Sequence, residues 1–416
     1  MPVSDLLAQE SFLLRARADR IRGADEAARI VLGAYAVARL IDRVLSGTAV
    51  DEEAIVWERA SAQRYLAGLP TAHPEVAHLA GLVEALEELA ALRRSLRAYA
   101  YYLEREARLD EAHDVLTLTA RTWPGEIPPR ECGELALAFA RVDRLRARWQ
   151  SASDSCHVAE EAGLACGDMV ITLRARLARG AVLRGQGNLP EARAIAEQGA
   201  RDAEAAGLPD IRAGAFADLG AALTIMGRRV ESLAAFYEAF RGMTDPVYRM
   251  RVLGDLGIGL AEIGAREAAR IALRIVADAP ETEELIRVNA RLELMDLESA
   301  AGNRLAFEQL RQSVRGFEPQ MPPSMAVDYR FKAGTGLARF GQAARARALW
   351  TEALALAEAH DLNAWYFRLE KVLAEAGTEV VAAPPAAAAT SDAAGPEIER
   401  MTVGLREYAE LAAAGR

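Results

Sequence analysis

Residues 213–239 read AGAFADLGAALTIMGRRVESLAAFYEA, and this stretch decides the fold. Phe216, Leu219, Gly220 and Leu223 recur at helical spacing and form one apolar stripe. After Gly227, the residues Leu233, Phe236 and Ala239 recur at three-residue steps and form an answering stripe. Gly227 suits a tight turn between two helices, because glycine enters left-handed backbone without steric cost. Gly220 marks a point where the second helix has to approach closely. Neither helix buries its stripe alone, so the pair requires neighbours.

The same phase extends in both directions. A small residue at the turn, followed five positions later by another, gives the pairs Ala107/Ala112, Ala147/Ala152, Gly187/Ala192, Gly227/Ser232, Gly264/Ala269, Gly302/Phe307 and Gly341/Ala346. Phe307 breaks the small-residue rule. Successive turn positions differ by 40, 40, 40, 37, 38 and 39 residues, which is a repeat. With an aromatic, Leu-Gly, Leu, a glycine turn, an aromatic and Ala in its best unit, the pattern resembles the tetratricopeptide repeat, whose unit is about 34 residues. The resemblance spans roughly residues 94–376 and is strongest over 173–280. It implies an all-α, right-handed superhelical solenoid of helix pairs that binds a protein or peptide in the concave groove lined by its first helices.

Around this array the chain divides into further parts. Residues 1–93 are helical without a clear repeat and predict a bundle that caps the array. There, Asp25 is expected to cap a helix carrying Ala28, Ile30, Val31, Ala34, Val37, Ala38 and Ile41. A second helix starts at Asp51, with Ile55, Val56, Ala60 and Tyr65 on its buried side, and a long helical stretch runs from Pro74 past Leu82, Leu86, Leu89 and Leu92. The array proper is 94–377. Residues 378–396 are Ala/Pro-rich and read as a flexible linker. Residues 397–416 form a terminal helix in which Ile398, Met401, Leu405 and Tyr408 make one stripe. So short a helix is marginal by itself in water and needs a surface, either docking in cis as a cap or pseudo-ligand or recruiting a second partner.

Composition narrows the function. A formal net charge of −10 argues against direct nucleic-acid binding, which relies on a basic footprint. Cys132, Cys156 and Cys166 have no metal-ligand spacing and leave one thiol over in any disulfide scheme, which suits a reducing compartment. No run approaches the ~20 apolar residues that cross a membrane, and the opening MPVSDLLAQESFLLRARADR lacks a signal-peptide core. The expectation is a cytoplasmic protein of bacterial type. His73 and His78 share no helical face, and Cys156-His157 with Cys166 lacks a fourth ligand. The fragments GDLGIG (254–259) and GTG (334–336) follow no strand and read as helix packing rather than phosphate loops. No catalytic constellation, cofactor motif or metal site is predicted.

The informative surface is therefore the groove. In the register that the resemblance implies, it is lined by Arg174, Arg184, Asp218, Arg251, Asp255, Asn289, Glu293, Asp296, Asp328 and Lys332. Its acidic middle suits a partner segment carrying Arg or Lys, and it lacks the Lys and Asn set with which related domains hold a chaperone's terminal carboxylate. The reading is a non-catalytic scaffold or adaptor, with its terminal helix as a regulator. The alternative is a sensory protein of similar build that responds to a peptide or small ligand and acts on a transcription or signalling partner.

Overall fold

A computed structural model describes residues 10–21, 23–46, 52–318, 321–360, 362–378 and 395–414. Most of the sequence read as a linker (379–394), together with Gly47 and Asp51, lies outside them. Among the described residues the chain is all-α, with twenty α-helices. Four open the chain: α1 (Glu10–Ile21), α2 (Asp25–Leu45), α3 (Glu52–Ala67) and α4 (Pro74–Glu84).

Pairs follow. They are α5 (Leu89–Arg105) with α6 (Leu109–Arg121), α7 (Pro129–Leu145) with α8 (Trp149–Cys166), and α9 (Met169–Gly185) with α10 (Leu189–Ala205). Next come α11 (Pro209–Ile225) with α12 (Arg229–Gly242), and α13 (Pro246–Glu262) with α14 (Arg266–Asp278). The last pairs are α15 (Glu284–Ala300) with α16 (Arg304–Arg315) and α17 (Pro323–Arg339) with α18 (Ala343–Ala359), before α19 (Asn363–Thr378) and α20 (Pro396–Ala414). The helices gather into two compact units, Met1–Ile195 and Ala196–Arg416.

The turns carry the repeat. Ala107, Ala147, Gly187, Gly227, Gly264, Gly302 and Gly341 all have positive φ, between 54° and 85°. Each closes the same cap, in which its own N–H bonds the carbonyl three residues back and the next N–H bonds five back. For Gly187 these are Gly187 to Arg184 at 3.1 Å and Asn188 to Leu183 at 2.9 Å. The residue five positions after each turn is buried in all seven pairs, including Phe307. At Ser232 that position meets the first helix of its own pair, the hydroxyl donating to the Gly220 carbonyl of α11 at 2.8 Å, which leaves room only for a small side chain. At Gly220, an added Cβ would lie 2.9 Å from the Phe236 ring, so glycine there admits the aromatic of α12. Prolines at the breaks open helices rather than merely ending them: Pro129, Pro209, Pro246 and Pro323 sit in the first turns of α7, α11, α13 and α17.

The glycine-rich fragments serve packing. Gly257 would place a Cβ 2.8 Å from Leu273, and Gly259 one 2.7 Å from Leu233. Gly334 would meet Trp350 and Gly336 would meet Phe307.

Several details near the amino end depart from expectation. The stretch from Pro74 is not continuous, because a 3-10 turn at Ala85–Glu87 and extended backbone at Glu88 break it, and α5 starts afresh at Leu89. Ala24 rather than Asp25 occupies the cap of α2, and Asp25 contributes only first-turn charge. On α3 the buried side chains are Ala62 and Leu66, whereas Val56 and Tyr65 face solvent. The apolar residues of α3 spread over more than one face, so its inward side is set by contact with α2 and α4. Arg108 ties this region together: its Nη1 donates to Glu75 (2.6 Å) and its Nε to Glu111 (3.1 Å), while the Tyr99 hydroxyl donates to Glu75 (2.7 Å). All four side chains are buried.

Candidate functional site

In the second unit, α13, α15 and α17 are the first helices of their pairs and lie side by side. A cavity of about 180 Å³ opens on this layer, lined by Arg251, Asp255 and Ile258 of α13, Leu285, Ile286 and Asn289 of α15, and Met325 of α17. Leu273 of α14 lines it from the second-helix layer, and the backbone at Gly254 contributes where no side chain intrudes. Three residues nominated from sequence, Arg251, Asp255 and Asn289, thus meet at one concavity.

Their chemistry differs. Arg251 is held at the rim, with its Nη2 2.9 Å from Glu283 and its guanidinium 5.2 Å from the Tyr248 ring centre. Asp255 is open to solvent at its surface, yet the surrounding helices crowd out bulk water. This desolvation raises its carboxyl to about 6, against the pull of Arg251. Neither the Asp255 carboxylate nor the Asn289 amide has a hydrogen-bond partner among the described residues. The walls between them are aliphatic. A free acceptor and a free amide amid Ile258, Leu273, Leu285, Ile286 and Met325 can hold a cationic or amide-bearing group whose remaining surface is apolar.

The other acidic positions are spent within the chain. Lys332 Nζ donates to Glu293 at 2.5 Å and to Asp328 at 2.8 Å. Burial disfavours the Lys332 charge, but the two carboxylates outweigh it and its pKa rises. Desolvation leaves the Glu293 pKa raised even so, with Lys332 opposing. Asp296 accepts from Arg339 Nη1 at 2.6 Å, and the same nitrogen reaches Ser299 at 2.5 Å. Asp218 on α11 is half-buried and engaged by a neighbour. Arg174 and Arg184 belong to α9 in the first unit, Arg174 exposed and Arg184 half-buried and engaged. Arg339 and Glu283 are not among the residues expected to line the groove. Only the pairing of opposite charges one repeat apart, such as Asp296 with Arg339, could have signalled them.

The terminal helix α20 lies on the second-helix layer. Ile398, Met401 and Leu405 are buried in a cluster with Leu233, Phe236 and Phe240 of α12 and Ala268, Ala272 and Val276 of α14. Tyr408 is half-buried and meets the Phe240 ring edge-on at 5.0 Å. None of the residues lining the Asp255–Asn289 cavity belongs to α20. It is docked in cis and leaves that cavity open.

Among the described residues no group of His, Cys, Asp and Glu is placed to hold a metal ion. Cys156 is buried and its thiol is pushed up to about 11 by desolvation, the opposite of a reactive thiolate. No helix is long and apolar enough to cross a membrane among the described residues.

The chain matches no protein-family model and no curated protein sequence. Among solved structures it is similar to the apo form of RapI, at 10% identity and a TM-score of 0.43, covering 68% of this chain and 97% of that one. It is similar to the apo form of the quorum sensor NprR from B. thuringiensis, at 12% identity, TM-score 0.44, and 82% and 98% coverage. A Rap protein complexed with Competence and Sporulation Factor gives 9% identity, TM-score 0.44, and 90% and 98% coverage. At these scores none of the three bears on the site or its ligand.

Proposed function

We propose that the protein is a non-catalytic, cytoplasmic scaffold of tetratricopeptide type that binds a peptide or an extended protein segment across α13, α15 and α17. The observation that carries this reading is the cavity in which the Asp255 carboxylate and the Asn289 amide have no hydrogen-bond partner among the described residues and stand among aliphatic walls. Its charge selects a segment bearing Arg or Lys. Asn289 supplies both a donor and an acceptor for the segment's backbone, and the aliphatic walls take a neighbouring apolar side chain. Because Glu293, Asp296 and Asp328 are neutralised internally, Asp255 is the acid that reads the ligand's charge.

A displayed library of random peptides, selected on the full chain, tests this. Enriched sequences should carry a basic residue beside an aliphatic one. Their binding should fall at least tenfold on Asp255→Lys and on Asn289→Ala, with the circular dichroism spectrum unchanged. Selected peptides that bind both variants as tightly as the unsubstituted chain would place the recognition surface elsewhere.

A further inference from the structure

The docking of α20 has features that a generic apolar contact lacks. Its buried stripe, Ile398, Met401 and Leu405 with Tyr408 behind, lies against α12 and α14. Within that stripe sits Gly404, whose added Cβ would overlap the Tyr237 hydroxyl of α12. Glycine weakens a helix, so its presence in the middle of α20 marks a position where close approach to the partner matters more than helix stability. Beside it, Arg406 Nη2 lies 2.5 Å from Glu267 of α14. The face therefore reads a pattern over residues 398–408, I-x-x-M-x-x-G-L-R-x-Y: apolar side chains at three steps, a missing side chain, a positive charge and a terminal aromatic.

The remaining positions of α20 are free of this reading. Val403 and Leu411 are exposed, as are Glu399, Arg400, Glu407 and Glu410. Sixteen residues, 379–394, lie between α19 and the helix in the sequence. A tethered helix competes at a millimolar effective concentration, so an incoming helix must bind tightly to replace it. It gains that advantage at the unread positions, where better helix formers cost no contact.

We propose that the α12/α14 face is a second, helix-binding surface, with α20 as its displaceable resident. The partner it fits in trans is an amphipathic helix of another protein with apolar residues at i, i+3 and i+7, glycine at i+6, a basic residue at i+8 and an aromatic at i+10. This surface is independent of the Asp255–Asn289 cavity and stands or falls without it.

The test uses the full-length chain and a fluorescent peptide of residues 396–414, read by anisotropy. Leu405→Asp in the chain removes the resident's central anchor. That variant should bind the peptide saturably, at least tenfold more tightly than the unsubstituted chain, where the resident competes. A peptide that keeps only Ile398, Met401, Gly404, Leu405, Arg406 and Tyr408, with alanine elsewhere, should bind at least as well. A Gly404→Ala peptide should bind more weakly despite its greater helicity, because the Tyr237 side chain must turn aside to admit the methyl. Glu267→Arg in the Leu405→Asp chain should weaken binding, and Arg406→Glu in the peptide should restore it. Met401→Asp serves as the second undocking variant should Leu405→Asp melt early. Absence of saturable binding to an undocked chain that remains folded overturns the proposal, as does equal binding of the Gly404→Ala peptide. An unsubstituted chain that sediments as a dimer and separates on Leu405→Asp would assign the surface to a second copy of this chain instead.

Discussion

The ring of Phe307 on α16 occupies the space that a side chain at Gly336 on α17 would need: a Cβ there would lie 2.6 Å from its Cζ. The one turn-plus-five position with a large residue is thus matched by a missing one in the next repeat. Phe307 is fully buried and meets Phe340 at 5.4 Å between ring centres. Gly336→Ala is expected to destabilise the second unit by about 1–3 kcal/mol through overpacking. Phe307→Ala costs about 3–5 kcal/mol through the cavity it leaves. The double variant should cost less than the sum, because the alanine at 336 enters space the ring has vacated. Urea unfolding of the four proteins measures the coupling, and simple additivity would refute the pairing.

Ala107 and Ala147 hold left-handed backbone at φ 56° and 54°, where the other five turns use glycine. An L-residue there loses about 1–2 kcal/mol to the clash of its Cβ. Ala107→Gly and Ala147→Gly should each stabilise the first unit by about 1 kcal/mol, part of the relief being lost to the greater freedom of glycine in the unfolded chain. The reverse change, Gly227→Ala, should destabilise the second unit by a similar amount. Thermal melts of the full chain decide it, and a lower midpoint for both glycine variants would contradict the strain.

Asp255 should titrate near 6, well above the value of about 3.9 for a free aspartate. Between these values the folded chain binds the extra proton, so this group's contribution to stability rises as the pH falls from about 7 to about 4. Asp255→Asn should remove that part of the pH dependence. The sign reverses for a cationic ligand, which needs the ionised form and binds more weakly below about pH 6. A carboxyl-carbon NMR titration of the free chain gives the value directly, and a midpoint near 4 would remove the basis for both effects.

Lys332 bridges Glu293 and Asp328, and all three side chains are largely enclosed. Lys332→Met strands two carboxylates and should cost on the order of 3 kcal/mol near neutral pH. With the cation gone, the already raised Glu293 pKa rises further. The loss is then greatest above that pKa and shrinks as acidification protonates Glu293. Denaturation midpoints of the variant and parent at about pH 8 and pH 5 should converge. A constant gap would mean that the bridge contributes packing rather than charge.

Legibility varied with how local the determining physics was. The turn at Gly227 and its six counterparts were readable because each left-handed residue closes a cap with its own helix. Even Ala107 and Ala147, without glycine, were found by phase. The apolar side of α3 was not, since Val56 and Tyr65 compete with Ala62 and Leu66 and only neighbouring helices decide between them. Nor was the neutralisation of Glu293 and Asp296, because Lys332 and Arg339 reach them across repeats roughly forty residues apart in sequence.

The sequence by itself determined the helix pairs, the residues at their turns, the buried stripe of α20 and the identity of Arg251, Asp255 and Asn289 as candidates. These follow from periodicity and backbone sterics, which act within a dozen residues. Tertiary structure decided that Asp255 has no hydrogen-bond partner among the described residues while Glu293 and Asp296 do, and that α20 settles on α12 and α14 rather than over the cavity. Charge pairing and helix docking depend on which surfaces are brought within a few ångströms of each other. That is set by the stacking of repeats and not by any one of them.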